Sequence, residues 1–505
     1  MNLSRRELLA GSAATIALSG CSTVTTRGTI TGLDYRQHDA LSLAGLVSRG
    51  EVTPLELLEE AIARTQAQDG RLNFLAQEMF DYGRQKIAQG LPQGPFTGVP
   101  FLEKDLHMHI AGYPSGQGSR FYANYVPQFT SELVRRHEAA GLVIFGKTTT
   151  PEFGLTGTTE SIAEGQTRNP WDLGRSSGGS SGGAATAVSA GVIPLAHASD
   201  GGGSIRIPAS NTGLFGLKPS RGRVPMGPLR TEGWGGSSTN GAISRSVRDS
   251  AALLDATHGT ELGSRYSAPT PSGTFLSQVT RDPGELRVAL MLEPVSGAPI
   301  DPQVIAATRS AAQLCESLGH RVEEKSFQFD ATRLAQANFA IVSTALAADL
   351  DARAAATGIT LGPDVLEPVT LAFYGIGKQM TGTMVAEANV TTQEVAIEVA
   401  RFMQEFDVIL SPVLATPAPL LGVYSMDNPD FAAWGAAIGA YVPFPGLFNT
   451  TGQPSMSVPL SMSPDGLPIG AMFSGRYGDE ATLLRLAGQL EQASPWFDRL
   501  PEGIS

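Results

Sequence analysis

Cysteine is nearly absent: the 505 residues contain two, Cys21 and Cys315. That excludes a disulfide scaffold and a cysteine-rich metal site. Positive charge is also short. The 36 Lys and Arg stand against 48 Asp and Glu, for a net charge of −12, which repels nucleic-acid phosphate. No basic run interleaves with aromatics, so no nucleic-acid partner is expected. No run reaches the roughly 18 apolar residues that a membrane-spanning helix requires. His107 and His109 stand two apart with no cysteine or carboxylate cluster beside them, a poor zinc pattern. No metal and no cofactor are expected. What is present is a globular composition, 42% apolar and only 17% charged, which suits a buried core rather than disorder.

The N-terminus reads MNLSRRELLAGSAATIALSGC. A charged start with Arg5 and Arg6 precedes a short apolar stretch and small residues, the layout of a signal peptide. The Ser4–Leu9 segment resembles a twin-arginine export signal. Leu18-Ser19-Gly20-Cys21 resembles a bacterial lipobox, in which the cysteine becomes the lipidated mature N-terminus. The expected organisation is a signal peptide over 1–20, a lipidated N-terminus and polar tether over 21–35, and one domain over 36–500. The protein is then exported to the periplasmic face of a bacterial membrane and touches it only through a lipid anchor. Cys315 is left free, as a small buried hydrophobe on an amphipathic helix.

Beyond the tether, Thr53-Pro54-Leu55-Glu56 reads as a helix start: a threonine N-cap, proline in the first turn and glutamate closing a capping box. Residues 98–106 and 142–146 read as short strands. Residues 184–191 form a small-residue helix, and 192–200 an apolar strand running into GGGS. Long helical patterns follow at 303–318 and 385–404. A strand enters a Pro-rich loop over 406–419, two late strands follow, and a helix closes the chain. Strands alternating with helices predict an α/β fold.

The segment SSGGSSGG (176–183) has the composition of a flexible linker. Its position argues otherwise: it lies between patterned segments, leads directly into a helix, and is followed one strand later by Gly201-Gly202-Gly203-Ser204. A phosphate loop is not supported, because neither GxxxxGK[ST] nor a strand-GxGxxG-helix unit occurs. Gly178-Gly179-Ser180-Ser181-Gly182 matches the GxSxG elbow of α/β-hydrolases. An esterase with Ser180 as nucleophile therefore stays open, although the late histidines, His258 and His320, sit in no loop resembling a triad site.

Residues 174–219, GRSSGGSSGGAATAVSAGVIPLAHASDGGGSIRIPASNTGLFGLKP, resemble the signature block of the amidase signature family. GVPFLEKD (98–105), FGKTTTPEFG (145–154), TRNPWD (167–172), ISRSVRD (243–249) and FNTTGQPSMSVPL (448–460) agree in order. The resemblance implies a single α/β domain with a central mixed sheet flanked by helices on both faces. It implies a serine hydrolase of carbon–nitrogen amide bonds with Ser204 as nucleophile, Ser180 as bridging cis-serine and Lys104 as base. Backbone amides of Gly201, Gly202, Gly203 and Ser204 would stabilise the oxyanion, with Ser181, Asp200 and Arg206 supporting the loop. A lysine can accept a proton only when neutral, and burial in Val99-Pro100-Phe101-Leu102 would lower its pKa accordingly.

Two departures from the family pattern stand out. Glu103 occupies a position that is usually apolar; strand alternation points it away from Lys104, but a nearby carboxylate would raise the lysine. Gly201 stands where threonine is common, which predicts a more flexible loop. A small-molecule amide is the expected partner, and a homodimer is compatible with the sequence. A non-catalytic solute-binding lipoprotein is the competing class. Pocket walls are expected from 225–240, 370–382 and 422–446, where Trp234, Phe373, Tyr374 and Trp434 point to an apolar or aromatic acyl group.

Overall fold

The computed structural model describes residues 35–503; the expected signal peptide, Cys21 and nearly all of the expected tether lie outside them. The first long helix, Pro54–Leu72, starts as its sequence predicts. Thr53 Oγ1 accepts the Glu56 amide at 3.2 Å and Glu56 Oε2 accepts the Thr53 amide at 2.8 Å.

The eleven strands of the two larger sheets build the scaffold: β1 (Leu75–Glu78), β2 (Pro100–Lys104), β3 (Val143–Thr148), β4 (Leu195–Asp200), β5 (Phe215–Lys218), β6 (Thr239–Ser244), β7 (Arg287–Leu290), β8 (Arg321–Glu324), β9 (Val408–Pro412), β10 (Ser455–Met462) and β11 (Pro468–Ser474). Eight make one mixed sheet in the order β8-β7-β9-β11-β10-β5-β6-β4. The pairs β8–β7 and β7–β9 are parallel, and every other pair is antiparallel. A smaller sheet, β1-β3-β2, places β2 alongside the edge strand β4. The architecture is the α/β domain with a large mixed sheet that the resemblance implies.

β2, β3 and β4 are buried along their whole length, and their apolar residues pack against helices on both sides. One core unites Leu58, Phe74, Leu102, Phe145, Val188, Ile193 and Ile205, none more than 1% exposed. Fully burying side chains of this size stabilises by about 1.5–3 kcal/mol each. The helix Gly182–Ser189 runs through this core with every residue buried. Its composition has a steric cause. A Cβ on Gly183 would lie 2.6 Å from the Thr149 nitrogen and 2.7 Å from the Phe74 oxygen. The glycine-serine run is thus a close-packed loop and helix start, not a linker.

Among the helices that the sequence reading misses are Ala331–Thr357, Pro368–Gly377 and Phe431–Tyr441. The last two overlap stretches assigned to pocket walls, 370–382 and 422–446. Cys315 is free and fully buried on the helix Pro302–Ser317, and burial pushes its thiol up to about 12.

Candidate active site

β2 delivers Lys104 into the interior at its last residue. The side chain is fully buried, with Nζ 2.7 Å from Ser180 Oγ and 3.1 Å from Ser199 Oγ on β4. Burial pulls the lysine down from 10.5 to about 7, and the Asp200 carboxylate opposes part of that shift. A lysine at that value is substantially neutral near pH 7 and able to take a proton.

Ser180 sits two residues before the buried helix, in a loop whose Gly179–Ser180 peptide is cis. Its neighbour Ser181 locks this loop to β4: Ser181 Oγ donates to the Ser199 carbonyl at 3.2 Å and accepts the Ser199 amide at 3.3 Å.

β4 ends at Asp200, and the chain turns through Gly201-Gly202-Gly203 to Ser204. Asp200 holds the turn in shape. It accepts the Gly203 amide at 2.7 Å and the Ile205 amide at 3.1 Å, and pairs with Arg206 through both oxygens, at 2.9 and 3.0 Å. Burial alone would raise this carboxyl; the Arg206 guanidinium, then Lys218 and Asn449, hold it well below the usual carboxylate range. One expectation needs correction. The Gly203 N–H is turned onto Asp200 and cannot face an oxyanion. Among the described residues, the amides of Gly201, Gly202 and Ser204 have no protein acceptor. A Cβ on Gly202 would meet nothing within 4 Å, so this residue faces open space.

Ser204 is 8% exposed and opens on a cleft of about 330 Å³. Gly154, on the same wall, connects the cleft to the buried pair: a Cβ there would lie 3.1 Å from Ser180 Oγ. Phe339, Ile341, Val342, Phe373, Ile438 and Val442 supply the apolar walls, and Asn338, Ser237 and Thr450 the polar points. Among the described residues, no ionisable side chain lines the cleft. Of the four predicted wall aromatics, Trp234 and Phe373 line it. Trp434 lies behind Phe373, ring centroids 6.2 Å apart, and Tyr374 turns away to donate to Asp351 at 2.8 Å.

Glu103 points away from Lys104, as alternation requires. Its Oε1 lies 2.7 Å from His137 Nδ1 and its Oε2 3.4 Å from His197 Nδ1. Burial favours its neutral form, but His137, then His197 and Lys147, keep it below its ordinary value. The carboxylate that acts on Lys104 is therefore Asp200. His197 is neutral, lowered by burial to about 4. Its Nδ1 accepts the Lys104 amide at 3.3 Å and its Nε2 faces Asn240 Oδ1 at 3.3 Å. Both ring nitrogens are thereby engaged. His320 is likewise engaged, with the Leu286 amide and Gln489. Among the described residues, no group of three His, Cys, Asp or Glu side chains forms a metal site.

The sequence reading gave no role to Asn449. Its Nδ2 donates to the Asp200 carbonyl at 3.0 Å, Asp200 Oδ1 at 2.8 Å and the Ser237 carbonyl at 3.0 Å, and its Oδ1 accepts from Arg206 at 2.6 Å. Ser199, the second partner of Lys104, and Asn338 were also missed. Ser199 and Asn449 both lay inside segments already singled out by resemblance, 174–219 and 448–460, whereas Asn338 lay outside all of them.

The family model described as Amidase matches residues 56–484. The 6-aminohexanoate-cyclic-dimer hydrolase of Paenarthrobacter ureafaciens is 37% identical over 478 residues, covering 92% of this chain and 96% of the relative. The solved structure of 6-aminohexanoate cyclic dimer hydrolase complexed with substrate superposes with a TM-score of 0.89 at 36% identity, over 94% of this chain and 100% of that one. A bacterial aryl acylamidase of the amidase signature enzymes superposes with a TM-score of 0.81 at 25% identity, over 91% and 96%.

Proposed function

The chain belongs to the amidase signature family, hydrolases that cleave carbon–nitrogen amide bonds, and on that premise we propose that Ser204, Ser180 and Lys104 carry the reaction. The observation behind this reading is the 2.7 Å contact between a buried, readily neutral lysine and Ser180, in a pocket that meets the Ser204 cleft at Gly154. Ser204 Oγ attacks the amide carbonyl carbon while its proton passes through Ser180 to Lys104 Nζ. The oxyanion is met by the free amides of the glycine turn. Collapse breaks the carbon–nitrogen bond, and the proton returns through Ser180 to the departing nitrogen. Water then attacks the acyl-enzyme by the same route and releases the acid. Ser204→Ala should abolish turnover, and Lys104→Ala and Ser180→Ala should each approach that loss without adding to one another. Turnover at the wild-type rate by Ser204→Ala rules the assignment out.

The substrate we infer is an uncharged amide with an extended apolar acyl chain. A cleft without ionisable side chains offers nothing to offset the desolvation of a charged group. The relative named for a cyclic dimer of 6-aminohexanoate supports this, since ring closure removes both terminal charges. A panel pairing that cyclic dimer with its linear form tests it; faster hydrolysis of the linear, charged form refutes it.

Export and lipidation are part of the same proposal, resting on Arg5-Arg6 and Leu18-Ser19-Gly20-Cys21. Mass spectrometry of the mature N-terminus should find a lipidated Cys21, and Cys21→Ser should move the protein from the membrane to the soluble fraction. An unmodified chain retaining residues 1–20 refutes it.

A further inference from the structure

Gly201 marks a substitution made for space. Its backbone is outside the left-handed region, so conformation does not demand glycine. A Cβ at 201, however, would lie 2.5 and 2.6 Å from Cζ3 and Cε3 of the Trp234 indole. The indole occupies the volume that the usual threonine would fill. The loop is not freed by losing a side chain; it is covered by one from 33 residues further on.

Trp234 is held in that place from three sides. Its φ is 51°, and Gly235 and Gly236 follow at 62° and 86°, three successive left-handed residues that turn the chain back on itself. Gly235 closes on the helix Ala331–Thr357, where a Cβ would lie 3.1 Å from Ile341 Cγ2. The Ser237 carbonyl accepts from Asn449, the same amide that donates to Asp200. The tryptophan turn and the glycine turn are therefore tied to one side chain. Trp234 is half-buried and lines the cleft with Gly201, Gly202 and Ser204.

We propose that Trp234 is the specificity-determining residue of this hydrolase: seated against Gly201, its indole forms a flat shelf from the glycine turn into the cleft and selects unbranched or aromatic apolar acyl groups that lie along it. The proposal rests on the reading of Ser204 as nucleophile and of its cleft as the acyl site. A ring face presents a large apolar area at little conformational cost. The shelf begins beside the reacting carbonyl, so it reads the first carbons of the acyl chain.

The test compares hexanoyl and acetyl 4-nitroanilides in wild type, Trp234→Ala, Gly201→Ala and the double variant. Trp234→Ala should lower the hexanoyl-to-acetyl ratio of kcat/KM about tenfold, mainly through KM. Gly201→Ala should produce a similar fall, because its methyl displaces the indole. The double variant should be no worse than Trp234→Ala, since only one contact is lost. Equal losses on both substrates in Trp234→Ala, or single losses that multiply in the double variant, overturn the proposal. A binding measurement separates the shelf from the chemistry. In Ser204→Ala protein, hexanamide should quench tryptophan fluorescence, and adding Trp234→Phe should remove that quench. An unchanged quench in the Ser204→Ala, Trp234→Phe protein overturns the shelf. Residual turnover by Ser204→Ala overturns the nucleophile instead.

Discussion

The pH dependence of turnover tests the lysine most directly. Burial takes Lys104 from 10.5 to about 7; a shift of that size is about 5 kcal/mol of preference for the neutral form. The neutral fraction is then about one-tenth at pH 6, one-half at pH 7 and nine-tenths at pH 8. With neutral Lys104 as the base, kcat/KM should rise about tenfold from pH 6 to pH 8 and level off above it. Initial rates on one uncharged anilide, in buffers of constant ionic strength, give the limb. Glu103→Gln is the informative variant. Its carboxylate faces His137 and His197, and the charge acting on Lys104 is that of Asp200. The limb should move by less than about 0.3 unit, whatever happens to its height. A limb near pH 9 to 10 in wild type refutes a buried neutral base. A downward move of a full unit in Glu103→Gln refutes the assignment of the charge to Asp200.

Lys104→Met should lose turnover yet give a more stable protein. The folded pKa is depressed, so for this group wild-type stability rises with pH between about 7 and 10.5. Below that window the buried cation costs about 4 kcal/mol or more, and the hydrogen bonds to Ser180 and Ser199 return about 1 kcal/mol each. Thermal unfolding at pH 7 should show a raised Tm, and a lowered one contradicts the argument. Asn449→Ala leaves Arg206, Asp200 and the Ser237 carbonyl each short of a partner. It should cost about 3 kcal/mol of stability and lower kcat more than it raises KM; denaturant unfolding with steady-state kinetics checks both. In a Cys21→Ser background, Cys315 should resist aromatic disulfide reagents in the native state and react on unfolding, because it is fully buried with its thiol held near 12. Rapid native labelling contradicts that.

The sequence exposed the parts of the site that local pattern encodes. Alternation along β2 sent Glu103 and Lys104 to opposite faces, and the capping box at Thr53 formed as written. It misread features that depend on partners far along the chain. Gly201 alone reads as a loosened loop; only Trp234 packed against it shows the glycine to be steric. Asn449 lies 249 residues from Asp200, and no spacing rule links an amide to a carboxylate at that range. The helix Ala331–Thr357 went unread, although Asp330 caps a run of 27 residues without glycine or proline. It buries Leu334 and Ala337 in cores while presenting Asn338, Phe339 and Val342 to the cleft, and so lacks the single apolar stripe by which amphipathic helices are recognised.

The uncharged cleft and the lysine base have a common physical requirement. Lys104 is half neutral at pH 7 because it is fully buried and the carboxylate that opposes this, Asp200, is held by Arg206 and Asn449. A substrate carboxylate arriving about 6 Å from Nζ would interact with its cationic form by about 3 kcal/mol at an effective dielectric of about 20. That raises the lysine by about two units and cuts the neutral fraction at pH 7 from about one-half to about one-hundredth. A histidine base, with its unperturbed pKa of about 6.5, does not depend on burial to be neutral near pH 7; a lysine does. Selection against acidic acyl groups therefore follows from the choice of base as well as from the pocket walls. It follows too that an acidic substrate should be hydrolysed measurably only at higher pH, with its limb displaced upward from the limb seen with a neutral amide. If both limbs coincide in kcat, a substrate carboxylate does not reach Lys104 electrostatically, and the walls alone set the charge preference.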